Sequence, residues 1–284
     1  MKRNTRKYGL PDKILLASLL CQFALAATSA NATVLDATAG GSVTFNYDNA
    51  AFAQYAGGNS SNPGYYLANF WDGAASDPYD ANNTTAHFAA NLGNTQISMP
   101  LVHDITPVGA YAGTQATGRH VQGTSAHFAI DSETLTGISG EQIGMTGVQG
   151  YYLPNFPAPY NYVIAGDFSL AYDPSARASE WGTQAGAPTG WYIKNNLGFG
   201  LVTYDLANLS VVFADAHNWK LSGSLLMAPG YADMLMGPAF VNVGTFDLGV
   251  GSYAVSNVPL PAAAWMFITG LMGLLAVRRK PVLA

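Results

Sequence analysis

Between residues 33 and 257 apolar and polar side chains alternate in short runs of period two, and no long stretch carries the 3.6-residue period of a helix. The clearest runs are SVTFNY at 42–47, GDFSL at 166–170, KLSGSL at 220–225 and VNVGTFDL at 241–248. Gly, Pro, Asn or Asp bounds each of them. Successive strand residues point to opposite faces, so this alternation describes strands with one face buried and one wet. Residues 119–130, 143–149 and 201–213 follow the same pattern. The expected fold class is all-β, an antiparallel β-sandwich of jelly-roll type.

Three irregular stretches interrupt these runs: 57–84, PNFPAPYN at 154–161 and WGTQAGAPTGW at 181–191. Their turn residues predict long surface loops, the places where a rigid β scaffold usually carries its binding groups. Aromatic residues crowd them: Tyr65, Tyr66, Phe70, Trp71 and Tyr79, then Tyr151, Tyr152, Phe156, Tyr160 and Tyr162, then Trp181, Trp191 and Tyr192. Exposed rings stack on sugar faces, which makes Trp71, Trp181 and Trp191 candidate glycan contacts. Rings folded inward would instead anchor the loops, since each aromatic buries roughly 150–250 Å².

Asp72, Asp77 and Asp80, with Asn82 and Asn83, gather the oxygen ligands that calcium prefers. Their spacing matches no EF-hand loop, and the same residues are ordinary turn formers. The histidines His87, His103, His120, His127 and His217 show no ligand spacing, and no transition metal or other cofactor is expected. On one strand His120 and His127 would face opposite ways. A short repeat, TAHFA at 85–89 and SAHFA at 125–129, is compatible with an old duplication of a two-strand unit or with chance.

Charge narrows the function classes. Residues 33–257 hold sixteen acidic residues against Arg119, Arg177, Lys194 and Lys220, a net −12. Such a body repels phosphate backbones, which excludes nucleic acid as a partner. There is no G-x-S-x-G elbow, phosphate-binding glycine loop or H-E-x-x-H pair, and the single cysteine is Cys21. The expectation is a protein that is not an enzyme. A glycan-active enzyme with two carboxylates is the most distant alternative.

The chain begins with Lys2, Arg3, Arg6 and Lys7, followed by an apolar run at 14–27 and the small-x-small triplet of Ala30, Asn31 and Ala32. This is the layout of a secretory signal peptide, residues 1–32, cut after Ala32. The apolar run is short for a membrane span, which needs about 20 residues. Cys21 leaves with the leader, so no disulfide, thiolate metal site or cysteine nucleophile is expected in the mature protein. A body of about 225 residues buries enough apolar surface to fold without disulfides.

The chain ends in VPLPAAAWMFITGLMGLLAVRRKPVLA, residues 258–284. Residues 262–277 carry no charge and would form a helix about 24 Å long, nearly a bilayer span. Arg278, Arg279 and Lys280 form a basic stop that fixes the body outside. Pro259 and Pro261 keep the flanking backbone out of helix and sheet, open to a processing enzyme. Val258, Pro259, Leu260, Pro261 and Ala262, followed by a short hydrophobic helix and a basic cluster, resemble the VPLPA variant of the PEP-CTERM sorting signal.

That resemblance covers about the last 25 residues and implies processing by an exosortase, a transpeptidase-like membrane enzyme of Gram-negative bacteria, near the VPLPA motif. It also implies export and an association with exopolysaccharide or biofilm. The organisation expected is a leader (1–32), an exported β-sandwich domain (33–257) and a sorting tail with a transmembrane helix (258–284). The expected partners are an exosortase-type enzyme, the membrane and exopolysaccharide. The protein would be anchored in the inner membrane before processing and lie at the cell surface or outside the cell afterwards.

Overall fold

Alternation of the kind seen at 42–47 makes one face of each strand apolar, and such strands must share a core. The computed structural model describes residues 32–71, 95–98, 100–109, 119–174, 189–198 and 200–255. Thirteen strands lie among them: β1 (Val34–Leu35), β2 (Gly41–Tyr47), β3 (Tyr66–Trp71), β4 (Leu101–Asp104), β5 (Ile130–Asp131), β6 (Gln142–Gly144), β7 (Val148–Tyr152), β8 (Tyr162–Gly166), β9 (Ser169–Tyr172), β10 (Trp191–Lys194), β11 (Val202–Asp215), β12 (Asn218–Met227) and β13 (Asn242–Val250). Two short helices, α1 (Asn49–Phe52) and α2 (Pro229–Met234), complete the described elements with a 3₁₀ turn at Gly251–Tyr253.

All the strand pairs are antiparallel. Eight strands form one curled sheet in the order β4-β2-β13-β12-β11-β10-β9-β6, a second sheet has the order β3-β7-β8, and β1 pairs with β5. The all-β, antiparallel expectation therefore describes the body. The division is eight strands and three, where a jelly roll would place four in each sheet.

Register explains how the core fills. Val43 pairs with Leu248 and Phe45 with Phe246, while Leu221 lies opposite Leu248 on the other side of β13. All five are at most 1% exposed. Gly223 sits opposite Phe246, and a Cβ there would come within 2.9 Å of the Phe246 ring, so the missing side chain makes room for that ring. The three-stranded sheet closes the core from above with Leu67, Tyr151 and Ala165, all buried. Each fully buried large apolar side chain contributes about 1.5–3 kcal/mol.

Three expectations change in detail. The stretch at 57–84 contains β3, because Tyr66, Leu67 and Ala68 are all buried; a strand covered on both faces shows no alternation. Residues 119–129 are not a strand: Thr124 makes one isolated bridge to Val108, and only Ile130 and Asp131 form a strand there, paired with β1. The run 143–149 is two strands, β6 in the large sheet and β7 in the small one.

The break in that last run has a partner. β8 and β9 also belong to different sheets, and their pairing with β7 and β6 resumes across the break with a shift of one residue: Val148 pairs with Gly166, and Gly144 with Ser169. Residues 142–152 and 162–172 thus form one long two-stranded ribbon that bends from one sheet into the other. Gly147 (φ 112°) and Asp167 (φ 45°) make the corner, joined by a hydrogen bond from the Asp167 N–H to the Gly147 carbonyl at 2.8 Å. Strands that switch sheets do so at such bends.

A buried ion pair pins this corner. Arg119 is 2% exposed and Asp167 0%. The Arg119 Nε donates to Asp167 Oδ2 at 2.9 Å and its Nη2 to Oδ1 at 2.5 Å. The same carboxylate accepts the His120 N–H at 2.8 Å, and Asn196 Nδ2 donates to the Asp167 carbonyl at 2.6 Å. What the alternation of 119–130 obscured is this arginine, reaching inward from an irregular segment.

Among the described residues no helix is long and apolar enough to cross a membrane. The leader up to residue 31, the expected helix at 262–277 and the tail motif lie outside the described residues.

Candidate functional site

The tyrosine doublets at 65–66 and 151–152 decide where the aromatic residues go. Neighbouring residues on a strand point to opposite faces. Tyr65 and Tyr151 turn into the core at 0% exposure and stack with centroids 4.7 Å apart, whereas Tyr66 and Tyr152 turn outward.

The inward set forms a hydrogen-bonded network. Gln149 Oε1 accepts from the hydroxyls of Tyr47 at 2.7 Å and Tyr151 at 2.5 Å. The Tyr204 hydroxyl donates to that of Tyr47 at 3.1 Å, and Tyr65 and Tyr231 share a bond at 2.9 Å. The Gln149 amide donates to His103 Nε2 at 2.9 Å, which assigns the proton to Nδ1, and that atom donates to the Thr146 carbonyl at 2.6 Å. His103 is 0% exposed, and burial pulls its pKa down to about 4; the Thr146 carbonyl works against this shift and Arg119 with it. Burial pushes Tyr47 up to about 12, and Tyr65, Tyr151 and Tyr204 well above the ordinary phenol. At neutral pH every member is uncharged and they satisfy one another. Buried polar networks of this kind specify a single packing.

The outward set makes a surface. Tyr66 pairs with Tyr152 and Tyr152 with Tyr162, so three rings from three strands line up across the outer face of the small sheet. The Tyr66 and Tyr152 centroids are 5.7 Å apart. The inner end of this row is packed in, with Tyr66 at 8% exposure, while Tyr152 and Tyr162 are half-buried. The next rank of the same face holds Asn69, Gly150 and Ile164, so the row carries no charge.

Beyond β7 the loop 153–161 presents Tyr160, 72% exposed. Its backbone is tied down: Leu153 N–H donates to the Asn161 carbonyl at 2.8 Å, Tyr160 N–H to that of Pro157 at 2.9 Å, and Asn155 Nδ2 to that of Ala56 at 3.1 Å. A held ring with a polar tip, beside further such rings, can stack on the C–H face of a sugar and bond its hydroxyls.

A second neutral polar surface lies at the end of β2. Two adjoining hollows of about 170 and 410 Å³ share Asn46 and Tyr47. Asn49 and Ser98 line the first, Asn242 and Thr245 the second. Amides and hydroxyls in a shallow cleft suit an uncharged, hydroxyl-rich ligand. The one carboxylate there, Asp48, is occupied in capping α1 through the N–H groups of Ala50 and Ala51.

The residues expected to bind are placed unevenly. Trp191 is corrected: it is 0% exposed, its Nε1–H donates to the Leu135 carbonyl at 2.7 Å, and Phe128 and Tyr172 lie against its ring, so it offers no face to a glycan. Trp71 ends β3 half-buried, opposite Val148. Trp181, the calcium candidates Asp72, Asp77 and Asp80, the motif residues 258–262, the basic stop and Ala30 lie outside the described residues. Ala32 is exposed. Among the described residues no three His, Cys, Asp or Glu side chains gather as a metal site.

The aligned row of Tyr66, Tyr152 and Tyr162 is new to the structure, although the doublets hinted at it. No protein-family model, curated protein or solved structure matches the chain.

Proposed function

We propose that this chain is an exported structural protein of the cell surface or extracellular matrix, without enzymatic activity, whose tail is handled by an exosortase-type enzyme. One observation carries the reading: the folded body fits between the two expected cuts. The described strands begin at Val34, two residues after Ala32, and end at Val250, before the VPLPA motif. The Thr33 N–H donates to Ser132 Oγ at 2.9 Å, and near the other end the Val255 N–H donates to Ser42 Oγ at 2.7 Å, three residues before the VPLPA motif. Removal of the leader and cleavage of the tail therefore sever no described strand. The finer expectation of a sandwich domain fits a three-stranded sheet laid over a curled eight-stranded one.

Intact-mass measurement of the protein recovered from its host tests this. The expected species starts at Thr33 and ends near residue 262, with any attached group visible as added mass. A full-length species keeping both hydrophobic ends would end the proposal.

A second reading, binding of exopolysaccharide, is favoured by the neutral tyrosine row and the exposed Tyr160. Tyr160→Ala and Tyr162→Ala should each weaken binding to the host's own polysaccharide by roughly tenfold, the size of one lost aromatic contact. Melting temperatures should hold. Unchanged retention on immobilised polysaccharide in both variants would rule out this face.

A further inference from the structure

The long hairpin of β11 and β12 outruns its neighbour. β10 pairs with β11 only from Val202 to Asp205, and the Thr189 hydroxyl caps the Leu206 carbonyl at 2.9 Å. β12 stays paired along its other side to Trp219, opposite Val250. Among the described residues nothing pairs with the β10-side edge of β11 beyond Leu206. That edge presents a row of backbone donors and acceptors, which another strand satisfies best.

Proteins usually protect such edges with Lys, Pro or inward charge. From Leu206 to Ala214 this strand has none of these. Two irregularities interrupt its register with β12, one at Asn208 (φ 52°) and one between Phe213 and Asp215, and between them Ser210, Val211, Val212 and Phe213 stay in regular register. Val212 is 58% exposed and Phe213 41%. In a body of net −12 this is an uncharged, β-branched, aromatic stretch where two copies can pair with no like charges placed directly opposite.

We propose that the occupant is a second copy of this chain, added antiparallel along the same edge. Antiparallel pairing of identical strands generates a closed two-fold dimer. A two-fold axis through Val212 sets Val212 against itself and Val211 against Phe213 of the second copy, keeping each pair on one face of the sheet. Valine–phenylalanine cross-strand pairs are among the favourable ones. The large sheets of the two copies then join into one. The proposal stands apart from export and from glycan binding, so its failure leaves both untouched.

Light scattering and sedimentation of the protein recovered from its host should show a concentration-dependent dimer, twice the monomer mass. Val212→Glu places like charges at the axis yet faces Lys220 within its own sheet, a favourable cross-strand pair, so it should be monomeric with an unchanged melting temperature. In a Cys21→Ser background, Val212→Cys should form a disulfide-linked dimer under mild oxidation, because directly opposed Cα atoms lie about 4.5–5.5 Å apart. Asn242→Cys, on β13, should not. A wild-type protein monomeric at every concentration, or a Val212→Glu variant that dimerises as the wild type does, overturns the proposal.

Discussion

Arg119→Met is expected to cost about 3–5 kcal/mol, the loss typical when one member of a buried ion pair is removed. The size follows from what is left behind. Asp167 is 0% exposed and its carboxylate would keep only the His120 N–H from its present set of donors. Asp167→Asn should be comparably harmful in the opposite sense, leaving the buried guanidinium without its counter-charge, although Asn tolerates the left-handed backbone at this position. The double variant should lose less than the two single losses combined, because neither charge remains. Urea denaturation of the four proteins measures this; additive losses would show that the pair does not act as a unit at the corner.

Acid should weaken the fold through His103. Its pKa falls from 6.5 to about 4 on folding, so the unfolded chain takes up a proton that the folded one refuses. The associated stability is fully present above pH 6.5 and disappears progressively as pH falls toward 4. A shift of that size corresponds to about 3 kcal/mol. The carboxyls of Asp36 and Asp247, held below their usual range, act in the same direction but in a lower window, below pH 3.8. For Asp36 the Thr38 and His217 contacts outweigh burial, and for Asp247 those of Lys220 and Ser222 do. Denaturation midpoints taken from pH 7 to 4 should therefore decline in wild type and stay nearly flat in His103→Gln, whatever the absolute stability of that variant. An equal slope in both would remove His103 as the cause.

The parts of this fold legible in the sequence are those with one wet face. β12, β13 and the far half of β11 alternate because that side of the large sheet meets solvent, where Lys220 pairs with Asp247 at 2.6 Å, whereas β2 is legible from its Ser and Thr positions although Ser42 and Thr44 are buried. β3 was hidden because both of its faces are covered. The ribbon corner was hidden for a different reason: periodicity continues through 143–149 and 166–170 although the strand changes sheets, and only backbone angles at Gly147 and Asp167 reveal the turn.

The same limits apply to the site. Hydrophobicity marks Trp191 and Tyr160 alike as rings in loops, yet one fills the core and the other stands in solvent. What separates them is cross-strand neighbours, which a linear pattern does not contain. The row of Tyr66, Tyr152 and Tyr162 is likewise a product of register, assembled from positions 86 and 10 residues apart.

The position of β13 has a mechanical consequence. It is the last of the described strands, and it lies between β2 and β12 inside the large sheet, bonded on both sides along nearly its whole length. Force arriving from residue 256 onward pulls along this strand, so its hydrogen bonds to both neighbours resist sliding together rather than opening one after another. A pull applied at this end of the described body is thereby met by a strand clamped on both sides.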